Sequence, residues 1–142
     1  MATRHTDERA DRIVCDLYRR FLDRQPDAEG YRYVRESLTS GEKSLREHIL
    51  EVVNSDEFHR KFVKARPREK VVQHLYSILL GRTLSDPYKL ARQVADLALL
   101  DLGPYTERLV SSADYQRRYG EDRLPGGADG MSSSEQPRLC QR

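Results

Sequence analysis

The stretch Val71-Val72-Gln73-His74-Leu75-Tyr76-Ser77-Ile78-Leu79-Leu80-Gly81-Arg82 decides the fold. Its apolar positions fall at i, i+4 and i+8 with their neighbours, which draws one stripe along an α-helix, and Gly81 supplies the left-handed stop. The pattern has a counterpart upstream. Val14, Leu17, Tyr18 and Arg24 recur 58 residues later as Val72, Leu75, Tyr76 and Arg82, and Val53, Ser55 and Arg60 recur 57 later as Val110, Ser112 and Arg117. Phe58 and Phe62 match Tyr115 and Tyr119 in the second register. The chain therefore reads as a duplicated four-helix unit, with halves at about 6–64 and 67–120.

Working outward, Ile13, Val14, Leu17, Tyr18, Phe21 and Leu22 predict a first amphipathic helix, with Asp7 and Glu8 in the acid-favouring first turn. Asp27 caps a second helix through Tyr31, Val34 and Leu38 that stops at Ser40-Gly41. Ser44-Leu45-Arg46-Glu47 has capping-box spacing and opens a third, and Ser55 caps a short fourth. After the connector Lys64-Ala65-Arg66-Pro67 and the helix ending at Gly81, Asp86-Pro87 starts a sixth. Gly103-Pro104 is expected to break that helix, Leu109 and Val110 mark a seventh, and Ser112 caps an eighth. No window alternates at strand period. The expected architecture is all-α: about eight helices around two long ones, with Leu17, Phe21, Leu75 and Leu79 central. The expected domain is 1–124. The pattern ends at Glu121, and 125–142 has the Gly/Ser/Pro composition of a disordered tail.

The 142 residues suit one domain, and 37% hydrophobic against 34% charged, with a mean hydropathy of -0.80, requires apolar residues on faces rather than in runs. No run has the length of a membrane span, and Met1 to Glu8 lacks the apolar core of a secretory signal, so a cytoplasmic location is expected. A formal charge of +2 lacks the one-signed field of a nucleic-acid binder. Two cysteines make no disulfide framework; Cys15 reads as a small buried residue and Cys140 as a free tail thiol.

Several short motifs share an order with one known family. Tyr18-Arg19-Arg20, Glu36-Ser37-Leu38 to Gly41, Leu45-Arg46-Glu47 and Ser55-Asp56-Glu57-Phe58 lie in the first half; Leu79-Leu80-Gly81-Arg82, Ser112-Ala113-Asp114-Tyr115 and Tyr119-Gly120-Glu121-Asp122-Arg123-Leu124-Pro125 lie in the second. In that order they resemble the phycobilisome linker polypeptide domain, from about Ile13 to Pro125. Thr83-Leu84 and Asp23 depart from it, standing where that domain usually has a small residue with proline and a glycine. The resemblance implies a non-enzymatic all-helical structural protein without a cofactor of its own, bound to phycobiliproteins within or between their discs, on the cytoplasmic side of the thylakoid. Leu17-Tyr18 through Arg24-Gln25-Pro26-Asp27 to Gly30, with Ser55-Asp56-Glu57-Phe58, also resembles an uncharacterised helical repeat of bacterial surface proteins and glycosyltransferase neighbours. That likeness implies a stand-alone protein-binding module instead.

For chemistry, His5, His48, His59 and His74 show no paired metal-ligand spacing and read as surface or helix-flank residues. No apolar pocket is visible that would raise a carboxyl's pKa, and there is no phosphate loop or nucleophile motif, so no catalytic, cofactor or metal residues are expected. Tyr115, Arg117, Arg118 and Tyr119 interleave aromatics with cations, as do Phe58, Arg60, Lys61 and Phe62. Either the aromatics anchor the short helices while the bases face water, or Arg60, Tyr115, Arg117, Arg118 and Tyr119 form a partner surface. Arg24 and Arg82, just after the long helices, are further candidate anchors, or else bond the last helical carbonyls.

Overall fold

The computed structural model describes residues 4–125. Among them lie eight helices and no strand: α1 (Asp7–Leu22), α2 (Ala28–Ser40), α3 (Leu45–Val53), α4 (Asp56–Phe58, running on as a π-type turn over His59–Val63), α5 (Arg68–Leu75, running on as a π-type turn over Tyr76–Leu80), α6 (Pro87–Leu100), α7 (Leu102–Val110) and α8 (Ala113–Arg118). The all-α class follows from local signals. Thr6, Asp27, Ser44, Ser55, Asp86 and Ser112 each accept a backbone N–H of the first turn, and Ser44 with Glu47 closes the full capping box. Pro87 occupies the first position of α6, where its missing N–H costs nothing.

α1 lies on α2, α5 on α6, and α3 on α7, so the two halves meet through their third helices. Leu17, Phe21, Leu75 and Leu79 are fully buried, together with Leu38, Leu45, Ile49, Val53, Phe58, Tyr105, Val110 and Tyr115. The widened turn at the end of α5 buries the three successive residues Ile78, Leu79 and Leu80, which a regular α-turn would spread round the helix. α1 meets that turn at its own C-terminal end. There the Arg20 side chain donates from Nε to the carbonyl of Ile78 at 3.0 Å and from its guanidinium to that of Ser77 at 3.2 Å. The Ile78 carbonyl lies in the last turn, where no further helical N–H reaches it, while the Ser77 carbonyl also accepts the Gly81 N–H at 3.1 Å.

Asp23, at the expected glycine position, takes the left-handed conformation with φ 57°, as Gly81 does with φ 68°. Leu84, at the other departure, is held by the Gln73 amide, which accepts from the Leu84 N–H at 2.9 Å and donates to its carbonyl at 2.8 Å.

Four expectations need correction. The break after α6 falls at Asp101 (φ 70°, ψ 168°), while Gly103-Pro104 lies inside the first turn of α7. Proline is tolerated there because first-turn N–H groups have no helical acceptor, and at Gly103 a Cβ would come within 2.9 Å of the Asn54 amide oxygen, so a larger residue would make that side chain shift. The ordered pattern also runs past Glu121. Arg46 N–H donates to the Glu121 carbonyl at 3.1 Å, His5 lies 3.5 Å from Asp122, and Leu124 and Pro125 are buried, so the segment 121–125 is tied to α3 and to the residues before α1. The tail reading beyond Pro125 concerns residues outside the described range.

The histidines divide. His59 is exposed, but His5 and His48 are buried and His74 is half-buried, stacked on Phe62 at 4.5 Å; a helical wheel that scores histidine as polar hides this. Cys15 is buried as expected, but it is disulfide-bonded, which corrects the expectation of no disulfide; Cys140, read as a free tail thiol, lies outside the described residues.

Candidate interaction surface

Two side-chain clusters form where the short helices cross the ends of the long ones. In the first, the Lys61 ammonium donates to the last carbonyl of α1, at Leu22, at 2.7 Å. Arg24 grips Glu57 with two parallel bonds, Nε to Oε2 at 2.7 Å and Nη2 to Oε1 at 2.8 Å, and Lys61 also lies 2.9 Å from Glu57. The bidentate guanidinium is the main force holding the Glu57 carboxyl at a pKa of about 2, and the same bonds raise that of Arg24. Asp27 stands 3.5 Å from Arg24, and the guanidinium lies 5.1 Å from the Tyr18 ring centre. Two cations meet two acids here.

In the second cluster, Arg118 donates to the last carbonyl of the widened turn, at Leu80, at 3.1 Å. Asp114 is surrounded by Arg82, Arg117 at 3.2 Å and Arg118 at 3.2 Å. Three guanidinium groups share one carboxylate, and they stay open to water: side-chain exposure is 51% for Arg82, 72% for Arg117 and 45% for Arg118. This is the exposed positive face of the second half.

The candidate anchors therefore separate. Arg82, Arg117 and Arg118 come together around Asp114, whereas Arg60 is exposed and Arg24 is engaged by Glu57. Tyr115 is 1% exposed and belongs to the core, which corrects its reading as a contact residue: burial pushes its phenol pKa up, and Tyr119 leans on it at 5.1 Å, half-buried itself. Nor do Arg24 and Arg82 bond the last helical carbonyls. Lys61 and Arg118 do so, because the turn carries the arginines away from the helix axis toward the acids of the short helices. The acids Glu57 and Asp114 were missed; their i, i+4 spacing to Lys61 and Arg118 was the available signal.

Elsewhere, Asp16 contradicts the expectation that no carboxyl is raised. It is 3% exposed, burial lifts its pKa against the pull of Arg19, and its Oδ2 makes no hydrogen bond. No group of three or more His, Cys, Asp or Glu side chains among the described residues is placed to hold a metal ion.

The model of the family described as phycobilisome linker polypeptide matches residues 5–127. The chain belongs to that family. Curated relatives include the phycobiliprotein ApcE of Nostoc, 30% identical over 117 residues, which are 80% of this chain and 10% of that protein. ApcE of Microchaete diplosiphon is 34% identical over 88 residues, 62% of this chain and 8% of that protein. The phycocyanin-associated rod 2 linker polypeptide of Synechocystis is 25% identical over 130 residues, 88% of this chain and 46% of that linker. The chain thus spans less than half the length of each of these relatives. Among the described residues, no helix is long and apolar enough to cross a membrane.

Proposed function

We propose that the chain is a non-enzymatic structural linker module that binds phycobiliproteins within or between their discs, in an antenna on the cytoplasmic face of the thylakoid. Its membership of the linker family carries this reading, and the name of the Synechocystis rod linker supplies phycocyanin as a partner to test. The geometry supports a binding role. Arg82, Arg117 and Arg118 present excess positive charge on a rigid helix end, Arg60 adds an exposed cation, and guanidinium groups are favoured interface anchors. No step of chemistry is assigned, since the residues that converge do so as ion pairs and helix caps.

Native mass spectrometry and absorbance of mixtures with phycocyanin or allophycocyanin trimers test the proposal. A complex at micromolar concentration with a shifted bilin absorbance is expected. Arg117→Glu, at the most exposed arginine of the cluster, should weaken it by about three- to tenfold with helix content unchanged. No complex with either trimer would overturn the reading in favour of a module with another host.

A further inference from the structure

The connector between the halves carries the densest positive charge in the chain. From Arg60 to Lys70 there are six basic residues, Arg60, Lys61, Lys64, Arg66, Arg68 and Lys70, against the single acid Glu69. Lys61 is engaged by Glu57; the other five are exposed and form no ion pair with another described residue. Charges left this way repel one another and favour the approach of acids.

Beside this connector lies an open groove of about 520 Å³ between the turn that ends α4, the start of α5 and the α6–α7 junction. Val63, Val71, Leu97 and Leu102 give it an apolar floor, and His59, Arg66 and Arg68 stand on its rim with one acid, Asp101. Each part has a distinct job. The floor offers apolar burial but no hydrogen bonds, and the rim offers donors and positive charge but little apolar area.

We propose that this groove docks an acidic, apolar-anchored segment of a partner protein, with a leucine- or phenylalanine-sized side chain on the floor and flanking carboxylates on Arg66 and Arg68. Charge complementarity selects this occupant. A nucleic-acid strand would leave the floor unused and would bring its phosphates against Asp101 and Glu69, where phosphate binding calls for a continuous positive face. α5 and α7 both begin at this groove, and neither has a side-chain cap of its own. The surface is separate from the Asp114 cluster and does not depend on which host protein supplies the segment.

The test uses the full 142-residue chain, 15N-labelled, and a synthetic peptide alternating glutamate with leucine and phenylalanine. Titration should shift amide resonances in 59–71 and 97–102. The same peptide with glutamine for glutamate should bind at least about fivefold more weakly, and Arg66→Glu with Arg68→Glu should weaken the acidic peptide about tenfold while circular dichroism stays unchanged. Arg92→Glu, on exposed α6 away from the groove, should leave binding as it was. Shifts confined to other regions, equal binding of the glutamine peptide, or tighter binding of oligothymidine or of phosphatidylglycerol vesicles than of the acidic peptide would each overturn the proposal.

Discussion

The ends of α1 and of the α5 turn solve one problem with the same parts. At each, a base from the following short helix satisfies the last carbonyl, Lys61 on Leu22 and Arg118 on Leu80, and the arginine after the turn pairs with an acid of that helix, Arg24 with Glu57 and Arg82 with Asp114. Yet the first cluster is neutralised and the second keeps two positive charges in excess. The architecture of a helix end is thus independent of the charge it shows to solvent: the bonds need one base on a carbonyl, while the surrounding residues are free to vary. The chain as two copies of one four-helix unit is a proposal, and this correspondence is what it has to survive.

The largest effects should come from the paired core positions. Phe21 and Leu79, 58 residues apart, are both fully buried. Phe21→Ala should cost about 3–5 kcal/mol and Leu79→Ala about 2–5 kcal/mol in chemical unfolding. A loss below about 0.5 kcal/mol at one of them would break the correspondence.

Acid should come next, and it should strike the halves unequally. His48 in α3 is buried and its counterpart 57 residues on is Tyr105, whose hydroxyl donates to Gln93 at 2.7 Å. Burial lowers the His48 pKa most, and does the same for His5 and His74. A lowered histidine favours the neutral form in the folded state, so its contribution is complete above about pH 6.5 and is lost as the pH falls below that value. The melting temperature should drop by several degrees between pH 7 and pH 5, and amide exchange should rise first around α3 rather than α7. Equal rises in both would erase the difference.

The ion pairs are worth less. Glu57→Gln should cost about 1–2 kcal/mol at pH 7, from the loss of charge-assisted bonds at a largely covered carboxylate. With a folded pKa near 2 against 4.5 in the unfolded chain, its contribution is present above about pH 4.5 and disappears as the pH falls toward 2, so the variant should show a shallower acid limb. Asp114→Asn should lose a similar amount; a loss above about 3 kcal/mol at one site and none at the other would show that the clusters differ in structure as well as charge.

The smallest effect concerns the two left-handed stops. Gly81→Ala should cost about 1 kcal/mol, all of it backbone, because a Cβ there would have nothing within 4 Å. Asp23→Gly should be neutral or stabilising by a few tenths of a kcal/mol, since aspartate is among the non-glycine residues that enter the left-handed region most readily and glycine relieves only a small remaining strain. Thermal unfolding of both variants checks the pair.

Most of the fold was legible because it is written locally. Caps at Asp27, Ser44, Ser55, Asp86 and Ser112 act within three residues of themselves, and the stripes through Leu17 and Leu75 follow from helical period alone. Gly103-Pro104 misled because the same dipeptide suits a helix start and a helix end. The site was half legible. The clustering of Arg82 with Arg117 and Arg118 could be suspected from repeated spacing, but whether Tyr115 faced partner or core could not, because an aromatic beside arginines satisfies either.

By itself, then, the sequence determined the helices, most of their stops and the family, because these depend on interactions a few residues apart or on motif order. Only the tertiary structure decided which carbonyl each base satisfies, that His5, His48 and Asp16 are buried, and that the connector's cations border an apolar groove. Those outcomes arise from segments about 40 to 120 residues apart in sequence being packed into contact, as Lys61 is with Leu22 and His5 with Asp122, and burial is a property of the packed whole rather than of any window along the chain.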